Sequence, residues 1–138
     1  MRTFDPEIVK EAVKLYAEEI VGLDVDDWLA NPLNIALVNE KGDVGMLEHQ
    51  YALTNTVCAH YFFKSRGREA IKTAQEFMKE LFENSYVEVI TGLTPVNHKA
   101  ALWMNRRLGL KEHGIVNTEV GPCKFVVITK QQWKDSLK

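Results

Sequence analysis

Seven consecutive residues, Lys64-Ser65-Arg66-Gly67-Arg68-Glu69-Ala70, set a glycine between two arginines just before a helical apolar pattern. A glycine lets backbone come close to a ligand, the first turn of a helix offers N–H donors at a positive dipole end, and arginines add fixed charge with forked donors. Together these could cradle a pyrophosphate. An ordinary strand-to-helix turn with its basic residues in solvent is the other reading of the same segment. Upstream, Cys58 and His60 stand two apart and so share one face of a strand, which reads either as half of a metal site or as satisfied core and rim residues. No second ligand pair follows at metal-binding spacing, so no metal is expected. His49 and His113 have no partner that spacing can name and default to the surface. Asp24, Asp26 and Asp27 could attract a cationic amine or form a solvated acidic turn.

The elements that would carry these residues follow from periodicity. Asp5 before Pro6 is a helix start, and Ile8, Val9, Ala12, Val13, Leu15 and Tyr16 keep helical spacing to about Val21, where Gly22 stops the helix. Asp24 to Leu29 reads as a loop and short helix ending before Asn31-Pro32. Ile35–Val38 and Gly45–Leu53 flank Asn39-Glu40-Lys41-Gly42-Asp43, a glycine-containing turn that makes a β-hairpin the simplest reading. After a turn at Thr54-Asn55 comes a third strand, Thr56–Phe63, rich in β-branched and aromatic residues.

The clearest helix carries Ala70, Ile71, Ala74, Phe77, Met78, Leu81 and Phe82 on one stripe, with Lys72, Glu76, Lys79, Glu80 and Glu83 on the wet face. Its aromatic and methionine residues are core, since burial alone demands their spacing. Val87–Thr91 reads as a strand, Gly92–Pro95 as a turn, and Lys99–Leu108 as a helix with Arg106 and Arg107 complementing its dipole before Gly109. Two strands, about Lys111–Val116 and Cys123–Thr129, complete the sheet. The order predicts an α+β fold, an α/β sandwich with helices on a mixed sheet.

The 138 residues suit one domain, 1–138. With 17 Lys and Arg against 19 Asp and Glu, the net charge of -2 leaves no basic surplus for a run of phosphates, so a nucleic-acid partner is not expected. Apolar runs such as Phe125–Ile128 are strand length, far short of the ~20 residues that span a bilayer, so no membrane partner is expected either. Two cysteines and an acidic opening segment without an apolar signal core predict a reduced, cytoplasmic protein.

The Arg-Gly segment, followed by Ile90-Thr91-Gly92 and by a helix ending in Leu108-Gly109-Leu110, resembles the GNAT superfamily of acyl-CoA-dependent N-acetyltransferases over residues ~35 to ~130. The resemblance implies a mostly antiparallel mixed sheet with a central splayed parallel pair, here Thr56–Phe63 and Val87–Thr91, with pantetheine in the gap. It implies a helical acceptor-side region at 1–30, where Tyr16 and Trp28 would shape the pocket unless Trp28, like Trp103 and Trp133, is a packing anchor. Acetyl-CoA is the implied co-substrate and an amine the implied acceptor. A homodimer is the partner state it suggests. Arg66, Gly67 and Arg68 match the start of the family's phosphate loop, Glu69 stands where a second glycine is usual, and Ala70 or Ile71 where a third small residue is usual. Counting back from Gly109 places Asn97, His98 and Ala101 at the start of the CoA-contacting helix. Asn105 falls where many members have the tyrosine that protonates the departing thiolate.

The implied reaction is direct attack of an amine on a thioester, which needs an in-line donor, oxyanion stabilisation and a proton acceptor but no protein nucleophile. Backbone at Phe62 and Phe63 is the implied oxyanion side. Glu48 and His60 are the candidate bases by residue type, with a water relay as the alternative. Where the family normally begins with a strand, only Met1 to Phe4 precede Asp5, enough for a very short strand; an acceptor side that is reduced, more open or completed by a partner subunit, and the compact phage- or prophage-type pattern, are expectations attached to that feature. A catalytically inactive CoA-binding sensor, or a structural subunit of a larger assembly, is the competing expectation, motivated by Glu69 and Asn105.

Overall fold

The computed structural model describes residues 1–14, 23–50 and 52–138. A seven-stranded sheet runs in the order β1-β2-β3-β4-β5-β7-β6. Its strands are β1 (Arg2–Thr3), β2 (Ile35–Val38), β3 (Val44–His49), β4 (Thr56–Phe62), β5 (Val89–Pro95), β6 (Lys111–Thr118) and β7 (Gly121–Thr129). The helices are α1 (Pro6–Lys14), α2 (Val25–Ala30), α3 (Arg68–Asn84), α4 (Lys99–Arg107) and α5 (Lys130–Ser136). Every neighbouring pair of strands is antiparallel except β4 and β5, which α3 joins in parallel. The expected mixed, mostly antiparallel α+β sandwich is the architecture found.

Strand periodicity of two sorts the apolar side chains onto two faces. Ile35, Leu37, Leu47, Val57, Ile90 and Ile128 join Phe77, Leu81, Phe82, Met104 and Trp133 in one core beneath α3, α4 and α5. Ala36, Val44, Met46 and Phe62 join Val9, Ala12, Val25 and Trp28 in a second core beneath α1 and α2. The Asp5 carboxylate accepts from Glu7 N at 2.9 Å, the cap the sequence predicts, and Asp24 caps α2 by accepting from Asp27 N. The expected continuation of the first helix through Leu15 and Tyr16 to Val21, and its stop at Gly22, lie outside the described residues.

Several strand boundaries differ from expectation, and one helix was not expected. The strand expected to reach Leu53 ends at His49, and Leu53 closes a turn by donating its N–H to Gln50 O. The segment Gly92–Pro95, expected as a turn, is strand: β5 stays paired with β7 from Val89↔Thr129 to Pro95↔Cys123. Gly92 serves close approach there, since a Cβ on it would lie 3.3 Å from Val126 Cγ2. The last strands extend further, with β6 reaching Thr118 and β7 starting at Gly121. A fifth helix, α5, follows β7 where none was expected, started by a capping box in which Thr129 and Gln132 each accept the other's backbone N–H. Trp133, on α5, anchors it against Phe82 at a ring-centroid distance of 5.4 Å.

Candidate active site

The strands β4 and β5 share a register of Thr56↔Val89, Val57↔Ile90 and Cys58↔Thr91, yet β4 continues to Phe62 and β5 to Pro95. The parallel pair thus opens from Cys58 onward, between the two strands that the resemblance implies. A cavity of about 900 Å³ occupies the opening, between α3 on one side and α4 on the other. Phe62, Phe63, Arg66, Gly67 and Ala70 wall its first side. Asn97, His98, Ala101 and Asn105 wall its second. Arg68, Glu69 and Ile71 stand outside those walls, Arg68 and Glu69 exposed and Ile71 packed on the core.

At the cavity mouth, Gly67 is the N-cap of α3 with φ 59° and ψ −129°, a conformation that costs any L side chain strain. No side chain caps this helix start, so its first-turn N–H groups and positive dipole end face outward without an internal acceptor from a cap residue. The Arg66 guanidinium folds back and donates to the carbonyls of Phe63 and Ser65, which turns the loop's acceptors away from the helix start. Glu69, whose charge would repel a pyrophosphate, is drawn aside by an ion pair with Lys41 in the β2–β3 turn, and Lys41 holds its carboxyl below the usual range.

On α4, His98 is the N-cap and its Nδ1 accepts from Ala101 N at 3.2 Å. Asn105 is 5% exposed and donates to Thr94 Oγ1 at 2.9 Å, so this amide is committed to β5. The partner Thr94 lay within the segment that reads as a turn, which is why sequence alone could not supply it.

Glu48, Cys58 and His60 fall on the face covered by α1 and α2, with Glu48 directly opposite Cys58 and His60 two residues along. Glu48 accepts a hydrogen bond from Trp28 Nε1 at 3.4 Å, so Trp28 is both a buried anchor and a contact of a candidate base. Among the described residues, the cavity walls include His60 but not Glu48. His60 lines the cavity, and its ring loses enough hydration to neighbouring protein that its pKa falls below the ordinary 6.5, with Glu48 pulling the other way. Burial pushes the Cys58 thiol up, so it stays protonated and is a poor nucleophile. Among the described residues no group of three or more His, Cys, Asp or Glu could hold a metal ion. His49, expected on the surface without a partner, packs edge-on to Tyr86 at 5.8 Å. Of the acidic turn, Asp24 caps α2 and Asp26 pairs with Lys10 at 2.9 Å. Trp103 is not a packing anchor but 41% exposed, under the Arg107 guanidinium.

Sequence reasoning missed Asp43. It is 0% exposed and accepts from the loop that precedes Gly67, at Lys64 N (2.7 Å) and Ser65 N (2.9 Å). Five residues after a strand in a polar turn, an aspartate reads as a turn former, and nothing local announces a partner twenty residues away.

No family model matches the sequence, and no curated protein matches it. Among solved structures, mutant forms of the spermidine/spermine N-acetyltransferase SpeG from Vibrio cholerae superpose with a TM-score of 0.79 over 100% of this chain and 96% of theirs, at 11% identity. AAC(6')-Ib in complex with paromomycin and acetyl-CoA gives 0.74 over 100% of this chain and 95% of that one, at 16% identity. The same enzyme with coenzyme A and kanamycin gives 0.72, covering 100% and 96%, at 16% identity. With a mostly antiparallel seven-stranded sheet opened at its one parallel pair, and superposition over its whole length on these acetyltransferases, the chain has the GNAT fold.

Proposed function

We propose that the protein is an N-acetyltransferase that moves an acetyl group from acetyl-CoA to a primary amine by direct attack. The observation that carries this reading is the opening of β4 from β5 at Cys58/Thr91 beside a helix start that no side chain caps. The first-turn N–H groups of α3, from Gly67 to Ala70, would meet the pyrophosphate, with Arg66 and Arg68 adding positive charge, while the Ile71 N–H closes the first helical bond to Gly67 O. Phe62 and Phe63 would present backbone to the pantetheine and the thioester carbonyl, and Asn97, His98, Ala101 and Asn105 would line the opposite wall.

In the reaction, the amine nitrogen bonds to the thioester carbon, the C–S bond breaks with its electron pair leaving on sulfur, and the incoming nitrogen gives up a proton. His60 borders the cavity and its lowered pKa keeps it neutral at pH 7, so it can take that proton directly or through water. Glu48, held by Trp28 and raising the His60 pKa by its charge, would stabilise the imidazolium that results. With Asn105 committed to Thr94, water is the acid we assign to the departing thiolate. The high thiol pKa of Cys58 favours direct transfer over an acyl-enzyme.

For the acceptor, small amines, aminoglycoside-like compounds, peptide N-termini, lysine side chains and modified nucleobases form the panel to be tested. The test is protein-dependent release of thiol from acetyl-CoA with each. Release with any member supports the transferase. Acetyl-CoA binding with no release supports a second reading, a CoA-binding sensor or structural subunit, which the Asn105–Thr94 bond at the usual acid position favours.

A further inference from the structure

We propose that the β2–β3 turn, through Asp43, is the positioning device of the donor loop, fixing Lys64 and Ser65 so that the start of α3 is preset for the anion. The inference rests on the reading of that helix start as the acyl-donor site. Asp43 joins three separate segments. Its Oδ1 accepts the consecutive N–H groups of Lys64 and Ser65, and its Oδ2 accepts from Ser65 Oγ (2.6 Å), Thr73 Oγ1 (2.9 Å) and Asn39 Nδ2 (3.1 Å). All five donors are neutral, and Asn39 in turn braces the turn by accepting from Lys41 N and Asp43 N at 3.0 Å each.

A fully buried charge is costly, and an apolar side chain would fill the same space at lower cost, so the carboxylate is there for what it can bond. Two adjacent backbone N–H groups turned onto one oxygen fix the chain direction of the loop, and the serine hydroxyl locks the second of those residues. Arg66 gathers the carbonyls on the other side of the loop. Between them the N–H groups of Lys64 and Ser65 and the carbonyls of Phe63 and Ser65 are tied down just before Gly67, which fixes how the chain enters the first turn of α3. Lys41, from the same turn, draws Glu69 off that segment. Preorganising the loop in this way spares the ordering cost when the donor binds.

The test compares Ser65→Ala, Thr73→Val and Asp43→Asn in the full chain, by calorimetric binding of acetyl-CoA and by thermal melting. Ser65→Ala removes one hydroxyl bond to the carboxylate, and Thr73→Val removes one such bond together with the bond Thr73 Oγ1 accepts from Asn39 Nδ2 at 3.1 Å, so a purely structural Asp43 predicts losses for Thr73→Val at least as large as for Ser65→Ala in both readouts. The positioning role predicts a fall in melting temperature for Thr73→Val at least as large as for Ser65→Ala, but roughly tenfold weaker acetyl-CoA binding for Ser65→Ala against less than about twofold for Thr73→Val. Asp43→Asn, which turns an amide donor onto the Asn39 amide or onto the loop N–H groups, should match or exceed the Ser65→Ala loss. Adding Ser65→Ala to it should cost no further affinity. If Asp43→Asn does not fold, the two hydroxyl variants decide alone. An affinity loss for Thr73→Val equal to or larger than that for Ser65→Ala overturns the positioning role while leaving the donor site intact. A wild-type protein that binds no acetyl-CoA overturns both readings at once.

Discussion

His60 combines a position on the cavity wall with a pKa lowered by lost hydration, so its ring is neutral and able to accept a proton at pH 7. A base of this kind gives kcat/KM that rises with pH through a pKa below 6.5 and is flat above about pH 7. His60→Ala should lower kcat/KM by ~100-fold and abolish that rise; an unchanged profile in the variant would remove His60 from the mechanism. The two arginines should separate. Arg68→Ala should weaken acetyl-CoA binding on the order of tenfold with an unchanged melting point, whereas Arg66→Ala should lower both, because its guanidinium holds two loop carbonyls. Residue types and spacing were enough to single out His60, Glu48 and the Arg-Gly segment. They could not show that Glu69 turns to Lys41, that Asn105 is spent on Thr94, or that Asp43 is buried, because each depends on a partner from a distant strand or turn.

At the scale of elements, Gly67 is where the loop becomes helix. An alanine there meets no atom within 4 Å, so the strain of φ 59° alone should destabilise the protein, by about 1–2 kcal/mol, and shift the α3 start that the donor is to contact. A melting curve and an acetyl-CoA titration of Gly67→Ala check both halves. The periodic elements, α3 above all, were legible because one apolar stripe leaves no other fold for that segment. The turn read at Gly92–Pro95 was wrong because a glycine can mark close packing as well as a bend, and here Val126 of β7 lies across it. The helix α5 escaped notice because Trp133 is its single buried apolar residue, although the Thr129-x-x-Gln132 capping box was available as a signal. Thr129→Ala should accordingly cost about 1 kcal/mol of stability in a denaturant titration, with no change in donor affinity.

Across the whole molecule, the β2–β3 turn, the loop before Gly67 and α3 meet at one buried carboxylate, and acid should find it. Burial alone would raise the Asp43 pKa, but hydrogen bonds from the Ser65 hydroxyl and N–H, Asn39 and Thr73 outweigh it and hold the value at about 2. The folded value lies below the ordinary 3.8, so this stabilisation is present above about pH 4 and is lost as pH falls toward 2. The difference amounts to about 2 kcal/mol, and Asp43→Asn should flatten the stability profile over that window. The sheet and its opened strand pair hold that loop against a cavity of about 900 Å³, and among the described residues no helix is long and apolar enough to cross a membrane. The central claim is that acetyl-CoA binds in the gap between β4 and β5, and a thermal melt with acetyl-CoA, CoA and a nucleotide control tests it most directly. A ligand at a hundred times its Kd stabilises by about 2.7 kcal/mol, so the account predicts a rise of roughly 5–10 °C with acetyl-CoA and CoA that the nucleotide does not reproduce. No rise at millimolar acetyl-CoA would contradict it.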